Sequence, residues 1–311
     1  MIAAAKSMDD QSLNKPKLTR QEIFRRILKL SGFAVVVEII CLYVVLCPVF
    51  WMPLFNQVLF QPDRTDYDMK SVNGQFQSMF HVHRQDVMFD GPRKTKLSGS
   101  YFELPGNDKV VLISHGNAGN IAHRIPAVVN LLQAGYSVFL YDYEGYGKST
   151  GTPTMNNVCE DGIVAFDYLV KERHVLANNI ILFGESLGSA VTCNLLTQRS
   201  CGGVIIQSGF DTLYSVAREK LVWLYFYPDS IMPEPRFNNL VVLSKPHPPL
   251  LIIHGVKDQV IPFSHAENLM RVAAEPKIFV TLPNADHNDI YTVDHEISSK
   301  ALAQFRKTLG N

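Results

Sequence analysis

The 311-residue chain has no excess of charge of either sign, with 29 Lys and Arg set against 29 Asp and Glu. Without a basic surplus it has no electrostatic footprint for nucleic acid, and none is expected among its partners. It also lacks paired cysteines. Cys41, Cys47, Cys159, Cys193 and Cys201 are scattered and form no C-x-x-C. That pattern argues against a disulfide framework and against a zinc site, and leaves the thiols as small buried hydrophobes. No segment repeats at the spacing of a solenoid, and there is no low-complexity tract. What the chain does have is apolar material. Hydrophobic residues make up 47% of it, enough for the core of one large domain or two small ones.

The N-terminal region divides by composition. Residues 1–29 are polar, with seven basic side chains (Lys6, Lys15, Lys17, Arg20, Arg25, Arg26, Lys29) against three acidic ones. Phe33 to Phe55 follows as an almost unbroken apolar run of 23 residues. A helix needs about 20 such residues to cross the hydrocarbon core of a bilayer. The run has no amphipathic period, so it does not read as a helix with one buried face. It is too long for the core of a cleavable signal peptide, its leader is too long as well, and no A-x-A site follows. The basic flank places the N-terminus in the cytoplasm. The expectation is a basic cytoplasmic tail over 1–29, a transmembrane signal anchor over 30–58, and a single-pass membrane protein whose globular domain, 59–311, lies on the non-cytoplasmic side. Glu38 falls early in the run, within snorkelling reach of the cytoplasmic interface. Pro48 and Pro53 kink or end the helix, and Trp51 stands where an interfacial anchor is useful.

From about Phe60 the pattern becomes globular. Met79 to Phe89 alternates like a strand that Leu97 to Leu104 can pair with. Strands are expected at Val110–Ser114, Ser137–Tyr141, Ile180–Phe183, Val204–Gln207, Leu250–His254 and Lys277–Leu282. Helices are expected at Ile121–Ala134, Asn157–Lys171, after Ser186, at Ser264–Ala274 and from about Thr292 to Leu309. Alternation of this kind means an α/β fold with a mostly parallel central sheet flanked by helices. Residues 211–249 break the rhythm.

The chemistry centres on Gly184-Glu185-Ser186-Leu187-Gly188, between an apolar strand and a helix-like pattern. In that context G-x-S-x-G is a nucleophile elbow: the turn is so tight that the flanking positions must be small, and the Ser hydroxyl is lifted clear of the sheet. Gly147-Lys148-Ser149-Thr150-Gly151 spells the same motif but has no helix behind it, and reads as a loop. A phosphate-binding loop is excluded there because Asp142 stands where the motif requires Gly. The base candidate is His287, in the polar loop after the last strand. His81, His83, His123, His174 and His247 lack supporting context, His265 and His295 fall on expected helices, and His115 and His254 open loops that they can orient. The acid candidate is Asp258, also directly after a strand, with Asp211 in reserve. The order Ser186, Asp258, His287 is that of the α/β-hydrolase fold. An oxyanion hole needs two backbone N–H groups. Leu187 supplies one, and Asn117, in the glycine-flanked loop after Ser114, the other, with Ala118 as the alternative.

With those parts in order the chain resembles the α/β-hydrolase superfamily, and more narrowly the membrane-anchored bud-emergence (Bem) type hydrolases. The matching stretches are His115-Gly116-Asn117-Ala118-Gly119-Asn120-Ile121, Asp142-Tyr143-Glu144-Gly145-Tyr146-Gly147-Lys148-Ser149, Gly184-Glu185-Ser186-Leu187-Gly188-Ser189, His254-Gly255-Val256-Lys257-Asp258 and His287-Asn288-Asp289. Glu144 replaces a usual Arg, with an expected change in the charge of the site. Asp286 replaces a usual Gly beside the imidazole of His287, where it would favour the protonated ring. The resemblance implies esterase, lipase or thioesterase chemistry with no metal or cofactor.

Residues 211–249 occupy the position of a lid, here minimal. Trp223, Tyr225 and Phe226 are expected to form an apolar wall for an acyl group or a patch facing the membrane, with a helix packed on the sheet as the alternative. The reading is a serine hydrolase that cleaves a lipid-like acyl ester through an acyl-enzyme. Its rivals are an acyl-protein thioesterase, which should act on the cytoplasmic face, a serine peptidase, and a non-enzymatic membrane interaction protein.

Overall fold

The computed structural model describes residues 19–67, 70–232 and 234–310. Residues 1–18, which hold part of the expected basic tail, lie outside the described residues. Two compact units are present, Met1–Trp51 and Met52–Asn311.

The described part of the first unit is dominated by one helix, α1 (Arg20–Val45). It starts well before the apolar run because Thr19-Arg20-Gln21-Glu22 is a capping box: Thr19 Oγ1 accepts from the Glu22 amide, and the Thr19 amide donates to the Glu22 carboxylate at 2.8 Å. It stops before the expected end because proline disfavours helical geometry in the residue ahead of it. Pro48 opens a separate 3-10 turn, Pro48–Trp51. The Trp51 indole N–H turns back onto the Val45 carbonyl, one of the acceptors orphaned where α1 ends. Helix α1 is long and apolar enough to cross a membrane. Glu38, early in the apolar run, lies about two turns from the C-terminal end of this helix because the helix starts before the run and stops before its end.

The second unit begins with α2 (Met52–Leu59) and α3 (Lys70–Phe80). Helix α3 corrects the expected strand from Met79. Met79 and Phe80 close a helix, His81 turns the chain with φ +55°, and the strand starts only at Arg84. The alternation of Phe80 and Val82 misled because two residues carry too little pattern to separate period 2 from 3.6. Eight strands then form one sheet: β1 (Arg84–Asp90), β2 (Lys96–Phe102), β3 (Val110–Ser114), β4 (Ser137–Tyr141), β5 (Ile180–Glu185), β6 (Gly203–Gln207), β7 (Leu250–Gly255) and β8 (Lys277–Leu282). Their order is β8-β7-β6-β5-β3-β4-β2-β1. The β1–β2 and β2–β4 pairs are antiparallel and the other five are parallel.

Alternation along β3 shows how the layers are built. Val110 and Leu112 enter one hydrophobic cluster with Phe166 of α5 (Met155–Lys171), Val191 of α6 (Gly188–Leu196) and Leu269, whereas Val111 and Ile113 enter another with Val128, Leu302 and Phe305. Both faces of the strand are therefore buried, which is why its five residues read as continuously apolar. The first face is completed by α8 (Asn239–Leu243) and α9 (Phe263–Val272), and the second by α4 (Ile125–Gln133) and α10 (His295–Thr308). Two expected helices start late. Ile121–Arg124 is a 3-10 turn ahead of α4, and α10 begins at His295 rather than Thr292. The lid region carries α7 (Leu213–Lys220), two 3-10 turns and α8.

Candidate active site

Ser186 sits between β5 and α6 with φ +53°, a left-handed conformation that costs a non-glycine residue energy. The surrounding glycines explain how the turn is kept. A Cβ on Gly188 would stand 1.9 Å from the Ser114 carbonyl oxygen, and one on Gly184 would stand 2.6 Å from the Gly188 carbonyl oxygen. Neither position tolerates a side chain, so strand and helix close on each other at the Ser. The Ser186 amide donates to the Gln207 carbonyl at 3.0 Å, which ties the elbow to β6. Ser189 holds the Ser186 carbonyl with its amide at 3.0 Å and its hydroxyl at 2.6 Å.

His287 comes from the loop after β8. Acidic side chains brace that loop: Asp294 accepts from the Asn284 and Ala285 amides, and Asp289 from the Asp286 amide. Asp258 comes from the loop after β7, and its Oδ1 accepts from the amides of Val260 and Ile261 at 2.9 and 2.8 Å. The two loops meet because Gly255 is bare, since a Cβ there would stand 2.4 Å from the Ala285 carbonyl oxygen. Their approach puts His287 Nδ1 2.7 Å from Asp258 Oδ2 and His287 Nε2 3.1 Å from Ser186 Oγ. With its proton on Nδ1, facing Asp258, the ring presents an acceptor lone pair to the Ser hydroxyl. Burial pushes the Asp258 carboxyl up, but hydrogen bonds from His254 and His287 and the amide of Ile261 outweigh it and hold the group well below the usual carboxylate range. His254 orients the Asp258 loop, its Nε2 lying 2.9 Å from the Ile261 carbonyl and 3.3 Å from Asp258 Oδ2.

The loop after β3 passes over Ser186. A Cβ on Gly116 would lie 3.5 Å from Ser186 Cβ. Asn117 is held by its carbonyl, which accepts from the Gln61 amide and the Tyr146 hydroxyl, and by its side chain, which donates to the Leu59 carbonyl. Leu187, directly after the Ser, is buried. The His115 imidazole is enclosed completely, and burial, together with the charge of Arg124, pushes it down to about 3, so it is neutral.

Both departures from the family pattern are spent inside the fold. Glu144 meets a countercharge within the fold. Its buried carboxylate pairs with Arg93 and accepts from Thr95 and Asn157, because a carboxylate removed from water needs its countercharge close by. Asp286 Oδ1 accepts from the amides of His287 and Gln259, at 2.7 and 2.9 Å, and so clamps the His287 loop to the Asp258 loop. Ser149 is a structural hydroxyl, donating to the Asp142 carbonyl and accepting from the Ser98 amide. Asp211 is taken up elsewhere, with His265 Nδ1 at 2.8 Å and the Ser215 hydroxyl at 2.6 Å.

A cavity of about 210 Å³ opens beside His287, lined among others by Arg124, Glu185, Gln207, Asn288 and Tyr291. Trp223, Tyr225 and Phe226 do not line it. Tyr225 and Phe226 lie on the outside of the lid, 64% and 76% exposed, while their neighbours Leu224 and Tyr227 are buried. The sequence reading missed Arg124 and Glu185, which pair at 3.0 Å next to the Ser. Their only sequence signal is opposite charge on two motif loops, and spacing alone does not show that the loops touch.

The family model described as "Serine aminopeptidase, S33" (Hydrolase_4) matches residues 105–239, a stretch that includes Ser186 and ends before Asp258 and His287. The protein Rv2307c of Mycobacterium tuberculosis is 32% identical over 71% of this chain and 78% of its own length. YfhR of Escherichia coli K12 is 31% identical over 68% and 76%. An alpha/beta hydrolase domain-containing protein 17C from Xenopus tropicalis is 35% identical over 60% and 58%. Among solved structures, the Pyrococcus furiosus esterase Pf2001 shares the fold, with a TM-score of 0.66 and 19% identity over 80% of this chain and 98% of its own. On the sheet, the elbow and these relatives together, the chain belongs to the α/β-hydrolase superfamily.

Proposed function

We propose that the protein is a serine hydrolase that cleaves carboxylic esters of lipid-like acyl groups through an acyl-enzyme, held at a membrane by α1. The observation that carries this reading is the imidazole of His287, within hydrogen-bond reach of both Ser186 Oγ and Asp258 Oδ2. In the proposed reaction Ser186 Oγ attacks the carbonyl carbon while His287 Nε2 takes its proton. Asp258, ionised, stabilises the imidazolium and keeps the ring in its tautomer. The N–H groups of Leu187 and Asn117 receive the developing oxyanion. His287 then protonates the leaving oxygen, and water, activated by the same imidazole, releases the acid.

The exposed side chains of Tyr225 and Phe226, with Trp223 beside them, are assigned to the acyl chain or the lipid surface. The topology proposed is N-terminus in the cytoplasm and hydrolase domain on the far side.

Labelling by a fluorophosphonate probe, compared between the wild type and Ser186→Ala, tests the nucleophile, and absence of Ser186-dependent labelling sinks the enzyme reading. The family description favours one competitor, an aminopeptidase. Hydrolysis of acyl esters and of aminoacyl arylamides by the same preparation separates them, and cleavage of the arylamides alone would reverse the assignment. Protease protection in sealed vesicles tests the topology. A domain accessible from the cytoplasmic side would instead favour a thioesterase acting on acylated proteins.

A further inference from the structure

We propose that the cavity beside His287 is the leaving-group site and that it selects esters of small polyols, a glyceryl head in particular; this rests on the ester-hydrolase reading above. Position is the first argument. The walls include His287 and Glu185, the neighbour of Ser186, but not Ser186 itself, Asn117 or Leu187. In the tetrahedral intermediate the carbonyl oxygen must lie with the oxyanion donors, while the leaving oxygen must lie within reach of the imidazole. A cavity that touches the base and not those donors takes the alcohol side of the ester.

Size and lining then narrow the alcohol. At about 210 Å³ the space falls below the roughly 300–1,000 Å³ of pockets that enclose drug-sized ligands. It suits a short head, not a long acyl chain. Polar groups stand among its walls beside the apolar Pro126, Ala127 and Ile290, with Arg124 and Glu185 facing each other at 3.0 Å and Gln207 hydrogen-bonded to the Tyr291 hydroxyl. Burying an alkyl chain against these groups would cut them off from water without replacing their hydrogen bonds.

Charge decides what kind of polar head fits. An anionic head would meet Glu185 and a cationic one would meet Arg124. Arg124 is already held on one side, where Nη2 donates to the Ala118 carbonyl at 2.7 Å. Its buried Nε faces Glu185 without completing a hydrogen bond. Neighbouring hydroxyls meet both members of such a pair, donating to the carboxylate and accepting from the guanidinium. In the reaction the ester C–O bond breaks as the Ser186 acyl ester forms. The glyceryl oxygen takes the proton that His287 received from Ser186, and glycerol leaves.

The test compares 2,3-dihydroxypropyl and propyl esters of one fatty acid, hydrolysed by the full-length chain in detergent micelles. The two esters differ only in the two hydroxyls. Expected are a ratio of kcat/KM favouring the dihydroxypropyl ester by at least about tenfold and a fall of that ratio by about tenfold in both Glu185→Gln and Arg124→Gln, mainly through KM. A variant that merely misfolds lowers both rates and leaves the ratio intact. Equal rates on the two esters in the wild type, or a ratio that neither variant changes, overturns the polyol site and leaves the esterase reading standing. Labelling of Ser186 with hydrolysis of neither ester overturns both.

Discussion

Gly188 packs so closely on Ser114 that a Cβ added to it would stand 1.9 Å from the Ser114 carbonyl oxygen and 2.5 Å from its carbonyl carbon. The obstacle is backbone of the central strand β3, which cannot rotate away. Gly188→Ala is therefore expected to destabilise the domain by about 1–3 kcal/mol or more, read as a fall in the urea midpoint. Gly74 is the internal comparison, since among the described residues nothing lies within 4 Å of a Cβ there and it sits inside α3. Gly74→Ala should stabilise by about 0.5–1 kcal/mol.

The strain at Ser186 separates stability from activity. Its φ of +53° suits glycine and disfavours residues with a Cβ. Ser186→Gly and Ser186→Ala should both abolish fluorophosphonate labelling, while Ser186→Gly is the more stable of the two by about 1 kcal/mol. Equal thermal midpoints would mean that the elbow is not strained.

Removing the charge of Asp258 should leave the loops in place and impair the reaction. In Asp258→Asn the Oδ acceptor for the Val260 and Ile261 amides remains, but the amide side chain favours the wrong tautomer of His287. A fall in kcat on the order of 10³–10⁴-fold, with KM little changed, is expected. A loss of less than about tenfold would remove Asp258 from the proposed mechanism.

Two buried carboxyls set an unusual pH response. Burial pushes Asp142 up to about 7 and Asp161 up to about 8. In the unfolded chain both titrate near 4. Between these limits the folded state binds more protons than the unfolded one, so these two groups make stability fall as pH rises from about 4 toward 7–8. Asp161 Oδ2 accepts from the Glu144 amide, while Oδ1 is buried and has no hydrogen-bond partner among the described residues. Asp161→Asn keeps that acceptor and should flatten the decline in the urea midpoint between pH 5 and 8.5. An unchanged slope would show that Asp161 is not protonated in the fold.

The lid patch offers a test of substrate contact. Val222, Tyr225 and Phe226 are 70%, 64% and 76% exposed. Tyr225→Ser with Phe226→Ser should change the urea midpoint by less than about 0.5 kcal/mol equivalent. If these rings meet the acyl chain or the bilayer, the ratio of kcat/KM on long-chain over short-chain esters falls about tenfold. An unchanged ratio would leave the patch without a role in acyl recognition.

Legibility in the sequence followed the range of each signal. Ser137–Tyr141 was readable to the residue because a strand buried on both faces shows as a bounded apolar run, and Lys277–Leu282, a partly exposed edge strand, because its β-branched and aromatic residues end at Pro283. The places of Ser186, Asp258 and His287 in the loops after three strands were readable because those strands are marked locally. Helix α3 was not, since the expected strand ran across its last two residues and only His81, Val82 and His83 separate it from the true strand. The early start of α1 was written in Thr19-Arg20-Gln21-Glu22, a signal overshadowed by the apolar run behind it.

What the sequence determined by itself is the order of the strands, the elbow and the loops that carry Asp258 and His287, since these depend on local pattern and chain order. The tertiary structure alone decided where each charge goes. Glu144 pairs with Arg93, Asp286 clamps two loop amides, and Glu185 meets Arg124 beside Ser186. A carboxylate's partner is chosen by which loops are brought within a few ångströms and by the need to compensate burial. That information resides in the packing of segments distant in the chain.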